Sequence, residues 1–112
     1  DKKHKELFYS ALVKMGDSYH YEGQHAEALK YYQQSYDQGF DRQNQGFMEV
    51  RFRQAVDLIE TGDFKEAQAI LGEIAEEGDF AMQQRAQMKL GTLELSKQLK
   101  QLHFKEGSGG TF

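Results

Sequence analysis

The sequence predicts an all-α fold of five helices, and three observations support this. Proline is absent and β-branched residues are few, whereas residues with high helix propensity are abundant. Apolar residues recur at separations of three and four, as on one face of an α-helix. Glycines interrupt this periodicity at Gly23, Gly39, Gly62 and Gly78. These four points divide the chain into five helical segments.

The first two segments predict a pair of amphipathic helices. The first helix is expected over about residues 3–21, where large apolar side chains follow one another at spacings of four, three and four. We expect this face to be buried; it consists of Phe8, Leu12, Met15 and Tyr19. The second helix, over about residues 24–36, is shorter. It carries Ala28, Tyr32 and Ser35 on one side.

The third and fourth segments predict a second pair of helices. The third is expected over about residues 42–61, although Gly46 weakens its first turn. Its apolar set is Phe47, Val50, Ala55, Leu58 and Ile59. The fourth is expected from Asp63, as N-cap, to about Glu77. Its apolar set is Phe64, Ala67, Ile70, Leu71 and Ile74.

The fifth segment predicts a longer helix, over about residues 79–104, with a broad apolar surface. That surface consists of Ala86, Leu90, Leu93, Leu95, Leu99 and Leu102. After it the composition changes to glycine and serine, which is typical of a flexible linker. We therefore expect a helical domain over residues 1–104 and a flexible tail over residues 105–112.

An internal repeat links the two helix pairs. Residues 23–28 (Gly-Gln-His-Ala-Glu-Ala) align with residues 62–67 (Gly-Asp-Phe-Lys-Glu-Ala), a period of 39 residues from Gly23 to Gly62. A unit of two short helices cannot bury its own apolar face, so such units stack against each other. The sequence thus predicts a stack of about two helix-turn-helix units, with the fifth helix covering the exposed end.

The first unit resembles the tetratricopeptide repeat family. That family places small residues where its two helices approach closely and large residues around them. The matching residues here are Leu12, Met15, Gly16, Tyr19, Ala28 and Tyr32. The equivalent positions of the second unit are Ala55, Leu58, Ala67 and Leu71, with Arg51 in place of the large apolar opening residue. The resemblance implies a stack of helix-turn-helix repeats that binds a protein or peptide.

Two departures from the family pattern affect the connection between the units. The closing proline is absent, and the 39-residue period exceeds the usual length of about 34 residues. Either the connection around residues 38–45 or the third helix should therefore be longer than in a standard repeat.

The resemblance also implies a binding face, because the first helix of each repeat lines a concave groove that holds peptides. By position, this groove includes Val13, Asp17, His20, Tyr21, Glu49, Phe52, Val56, Ile59 and Met88. Apolar residues surrounded by acids would suit an apolar or mildly basic ligand. Alternatively, Phe52, Val56 and Ile59 pack beneath the fifth helix and leave no open groove there.

Several function classes are disfavoured by composition and motifs. A formal charge of -4 opposes binding to nucleic acid or an anionic membrane, and no apolar run is long enough to span a bilayer. Cysteine is absent, and no catalytic or phosphate-binding motif occurs. His20 and His25 have no recognised metal-ligand spacing. We expect no enzymatic activity, no cofactor and no metal site.

We therefore predict a cytoplasmic interaction module that binds a protein or peptide in its groove. Two alternatives remain open. The leucines of the fifth helix cover more than one face, which would suit a homodimer formed through that helix. In the second alternative, the chain is a non-catalytic appendage of a larger enzyme or regulator.

Overall fold

A computed structural model of the chain describes residues 1–109, with side chains described to Leu102, and contains five α-helices and no strand in that range. The helices are α1 (Lys2–Tyr21), α2 (His25–Asp37), α3 (Phe47–Thr61), α4 (Phe64–Glu77) and α5 (Phe80–Gly109). The predicted all-α class and the number of helices are confirmed. None of these helices, over the residues described, is both long and apolar enough to span a membrane.

The helices stack in two layers. Each helix packs against the next one in the chain, and α1 also contacts α3, as α3 contacts α5. The backbones of α2 and α4, both fully described, do not come within contact distance of each other. Helix α3 thus contacts both α1 and α5, whereas α2 and α4 stay apart. The stack therefore curves, and α1, α3 and α5 form its inner layer. The predicted repeat stack is confirmed.

The buried face of α1 differs from the predicted one. Tyr9, Leu12 and Gly16 are buried, whereas Phe8 and Met15 remain 53% and 43% exposed. The cause is a close approach between helices, since a Cβ added to Gly16 would lie 2.6 Å from two carbons of the Tyr32 ring. This contact turns the Gly16 side of α1 toward α2. The proposed packing role of Gly16 is thereby explained, but the predicted burial of Phe8 and Met15 is wrong.

Helix α3 begins at Phe47 and not near Arg42. Gly46 has a left-handed conformation, with φ of 85°, which does not continue a right-handed helix. Residues 38–46 form a loop instead, so the connection, and not the helix, accounts for the long period. Phe40 fixes this loop by burying its ring beside Tyr9 and Phe47.

Two hydrophobic cores hold the stack together. The first is rich in aromatic residues and contains Tyr9, Ala28, Tyr32, Phe40 and Val50. The second is aliphatic and contains Ala55, Leu58, Ile59, Ala67, Ile70, Leu71, Ile74, Met82, Ala86 and Leu93. The last three of these residues belong to α5, which therefore covers the second helix pair in the manner of a cap.

The far end of α5 extends beyond its expected end. The helix runs to Gly109 and not to about Phe104. Residues 110–112 of the expected tail lie outside the described residues. The division into a domain of residues 1–104 and a tail of residues 105–112 stays a prediction.

Candidate partner-binding site

The inner layer contains an open depression between α3 and α5. It has a volume of about 290 Å³ and is lined by Phe52, Arg85, Met88, Lys89 and Thr92. The guanidinium carbon of Arg85 lies 4.5 Å from the centre of the Phe52 ring, a cation–π contact. Met88 is 71% exposed. The structure thus brings together two predicted groove residues, Phe52 and Met88, from different helices, and we call this surface the Phe52–Met88 depression.

Three other predicted groove residues of α3 have different environments. Glu49 is exposed and Val56 is half-buried, so both remain accessible from the surface. Ile59 is only 5% exposed and belongs to the second core. Its assignment to the groove was wrong, because packing among α3, α4 and α5 removes its side chain from the surface. For Ile59, the alternative prediction of packing beneath the fifth helix describes the structure better.

Asp17 is held in a network between α1 and α3. Its Oδ1 atom accepts hydrogen bonds from the Tyr32 hydroxyl at 2.6 Å and from Arg53 Nε at 2.8 Å. Burial raises the pKa of Tyr32, and the Asp17 carboxylate raises it further, so the hydroxyl stays a donor. Arg53 neutralises the acid that was expected to give the groove a negative rim. The nearest charges to the Phe52–Met88 depression are instead the cations Arg85 and Lys89.

His20 takes part in a second network, which also includes His25 and Asp57. His20 Nδ1 lies 2.7 Å and His25 Nδ1 lies 2.5 Å from the same atom, Asp57 Oδ1. The Asp57 side chain is fully buried, and those of His20 and His25 are 12% and 24% exposed. We call these three residues the His–Asp–His cluster. His20 therefore points to α3 and offers little surface to a partner.

Asp57 was missed by the sequence prediction, although one signal indicates it. It interrupts the otherwise apolar run of residues 55–59 (Ala-Val-Asp-Leu-Ile) in the middle of a helix. An acid at such a position is buried only with a partner, because an isolated buried charge is costly. The run therefore predicts a buried ion pair or polar network, but it does not predict which residues complete it.

The remaining predicted residues lie on α1. Tyr21 is 74% exposed, and its ring meets the edge of the His20 ring at a centroid distance of 4.9 Å. Val13 is half-buried and packs against the first core. These side chains do not line the Phe52–Met88 depression. Tyr21 stays available to a partner, whereas Val13 serves mainly the packing of α1.

A family model described as tetratricopeptide repeat matches residues 10–38. Residues 10–38 thus form one tetratricopeptide repeat. The match covers most of α1 and all of α2, including the Gly16–Tyr32 contact, and it confirms the predicted family. No curated protein and no solved structure matches the chain.

The second helix pair continues the same packing as the tetratricopeptide repeat. Its equivalent positions, Ala55, Leu58, Ala67 and Leu71, are all buried. Tetratricopeptide repeats generally mediate protein–protein interactions and are typically not catalytic. The inner layer is the part of such a stack where a partner is expected.

Proposed function

We propose that the chain binds a segment of a partner protein along its inner layer, with an apolar side chain of the partner in the Phe52–Met88 depression. One observation carries this proposal: Met88 is 71% exposed beside the Phe52 ring, on the concave side of a tetratricopeptide repeat stack. Methionine is flexible and polarisable, and it is common at surfaces that adapt to partners. The role is binding, without catalysis.

The charges around the depression favour a particular ligand. Arg85 and Lys89 line it, and Arg85 already lies over the Phe52 ring. An apolar side chain flanked by Asp or Glu would fill the depression and pair with these cations. This replaces the expectation of a mildly basic ligand, because Arg53 neutralises Asp17. Such charge pairs contribute more to selectivity and association rate than to affinity.

A selection experiment tests this function. A phage-displayed library of random peptides is selected on the full chain, and the affinity of the enriched peptides is measured by isothermal titration calorimetry. Enriched peptides should combine an apolar anchor with neighbouring acids. The variant Met88→Asp should weaken their binding at least ~10-fold, because it places a charge where the anchor docks and repels the acids.

The matched control is Phe80→Asp, which makes the same kind of change on α5. Phe80 is 76% exposed and does not line the depression. It should leave the affinity within about 2-fold of the original protein. Circular dichroism should show equal helicity for both variants. Equal losses in both variants, or no loss in either, would place the partner-binding surface elsewhere.

A second candidate function, self-association through α5, is favoured by a different observation. Alternate spacings of four and three residues connect Met88, Thr92, Leu95, Leu99 and Leu102, as in the seam of a coiled coil. The three leucines are 55%, 57% and 54% exposed. Leu90 and Leu93, by contrast, pack against the second core and are not available for this purpose.

Analytical ultracentrifugation separates the two candidates. If α5 pairs with a second copy, the chain should dimerise, and Leu99→Lys should shift it to the monomer by placing a charge in the seam. The control Gln98→Lys alters an exposed neighbour outside the seam. A chain that stays monomeric at high concentration rules out self-association and leaves peptide binding as the function.

A further inference from the structure

The His–Asp–His cluster gathers nitrogen and oxygen ligands from three helices at one point. His20 lies in the last turn of α1, His25 is the first residue of α2, and Asp57 lies within α3. One ligand atom from each residue lies within 4.8 Å of the others. Two imidazoles and a carboxylate are a ligand set that suits Zn²⁺ and similar divalent ions.

A second observation at the same point is an unsatisfied buried atom. Asp57 Oδ1 is shared by the two histidines, but Oδ2 is buried and has no hydrogen-bond partner among the described residues. A buried carboxylate oxygen without a partner carries a free-energy penalty. A cation beside the carboxylate would compensate this oxygen electrostatically, whereas the two hydrogen bonds to Oδ1 do not.

We propose that His20, His25 and Asp57 form a binding site for a divalent transition-metal ion, with Zn²⁺ as the best match. This site is independent of the Phe52–Met88 depression. The three residues supply one ligand each and leave a fourth coordination position for water. The bound ion ties the turn between α1 and α2 to α3, so it strengthens the interface between the two helix pairs.

The geometry requires only a small adjustment. The nitrogen–oxygen distances of 2.7 and 2.5 Å are hydrogen-bond distances, with both Nδ1 atoms directed at one oxygen. Around a tetrahedral Zn²⁺, with bonds of about 2.1 Å, neighbouring ligand atoms lie about 3.4 Å apart. Each nitrogen–oxygen pair therefore separates by less than about 1 Å, and the two nitrogens, which lie within 4.8 Å of each other, take up the same spacing. Each imidazole would then bind the ion through Nδ1 and carry its ring proton on Nε2.

The site also has a route for entry of the ion. The side chains of His20 and His25 are 12% and 24% exposed, whereas Asp57 lies fully below them. An ion can therefore approach from the histidine side while the carboxylate stays shielded from water.

Calorimetric titration of the untagged full chain with ZnCl₂ at neutral pH tests the proposal. We expect one bound ion per chain, no comparable binding of MgCl₂, which prefers oxygen ligands, and at least ~100-fold weaker Zn²⁺ binding in His25→Asn. Asparagine can still donate a hydrogen bond to Asp57, so this variant retains the contact. The matched control, His4→Asn, changes an exposed histidine and should bind as the original chain does.

Two further measurements keep the result interpretable. In the original chain, Zn²⁺ at 100 times its dissociation constant should raise the Tm by ~10 °C, because the ion binds only the folded site. Co²⁺ should show the visible absorption of tetrahedral coordination and lose it when Zn²⁺ is added. An unchanged Tm with no heat of binding overturns the proposal, as does an equal loss of affinity in the His4 and His25 variants.

Discussion

Gly16 lies where α1 and α2 approach each other closely. An added Cβ would lie 2.6 Å from two carbons of the Tyr32 ring, and that ring is fully buried. The ring cannot move away without disturbing the first core, because interiors of proteins are close-packed. The small residue at this position is therefore required by packing and not by backbone conformation.

We expect Gly16→Ala to lower the free energy of unfolding by ~1–3 kcal/mol, as overpacking of a core commonly does. This loss should outweigh the gain of ~1 kcal/mol in helix propensity. Gly72→Ala, within α4, is the control: an added Cβ meets nothing within 4 Å, so that variant should gain ~0.5–1 kcal/mol. Urea unfolding measures both. A stabilised Gly16→Ala variant would contradict the packing described for α1 and α2.

At the scale of one element, the burial of Phe40 fixes the loop of residues 38–46. Its ring is 7% exposed and packs with the rings of Tyr9, Tyr36 and Phe47. Arg42, in the same loop, instead reaches across the surface to Glu73 and Glu77 of α4, at 2.9 and 2.6 Å. The loop is thus held by one buried ring and by exposed ion pairs.

These two contacts differ in their expected contributions to stability. Phe40→Ala should lower the free energy of unfolding by ~3 kcal/mol or more, because it leaves a cavity among aromatic rings. Arg42→Ala should cost less than ~1 kcal/mol, since exposed ion pairs are screened by water and salt. Chemical denaturation of both variants provides the comparison. If Arg42→Ala costs as much as Phe40→Ala, the loop is held by its charges and not by its buried ring.

The same loop shows where sequence reasoning failed at the level of elements. Residues 42–45 (Arg-Gln-Asn-Gln) are polar and compatible with a helix. Helix propensity alone therefore predicted that α3 begins near residue 42. The burial of Phe40 and the left-handed Gly46 set the true beginning of the helix at Phe47. The burial of Phe40 is a tertiary effect, which local sequence patterns do not contain. A glycine such as Gly46 permits the left-handed conformation, but the sequence does not reveal that it adopts it.

At the scale of the whole molecule, the stack itself was predictable. The recurrence of Gly-x-x-x-Glu-Ala at Gly23 and Gly62 marks the starts of α2 and α4, and helical spacing marks the cores. The positions of Phe52 and Met88 in the repeat pattern of the family also predicted that they share one surface. In the structure they line one depression. That this surface binds a partner stays a proposal.

The polar networks between helices were not predictable in the same way. Asp17 with Arg53, and His20 with Asp57, join α1 to α3 across separations of 36 and 37 residues. Which acid meets which base depends on the offset and rotation between the helices, and neither is encoded in a local spacing. For this reason Asp17 and His20 were assigned to the groove surface, although both are engaged in these networks.

The most direct test of the account is NMR mapping of a selected peptide on the isotopically labelled chain. Binding along the inner layer predicts that the largest amide shifts cluster in α3 around Phe52 and in α5 around Met88, with little change in α2 and α4. Shifts concentrated on the outer helices α2 and α4 would contradict the proposed binding face.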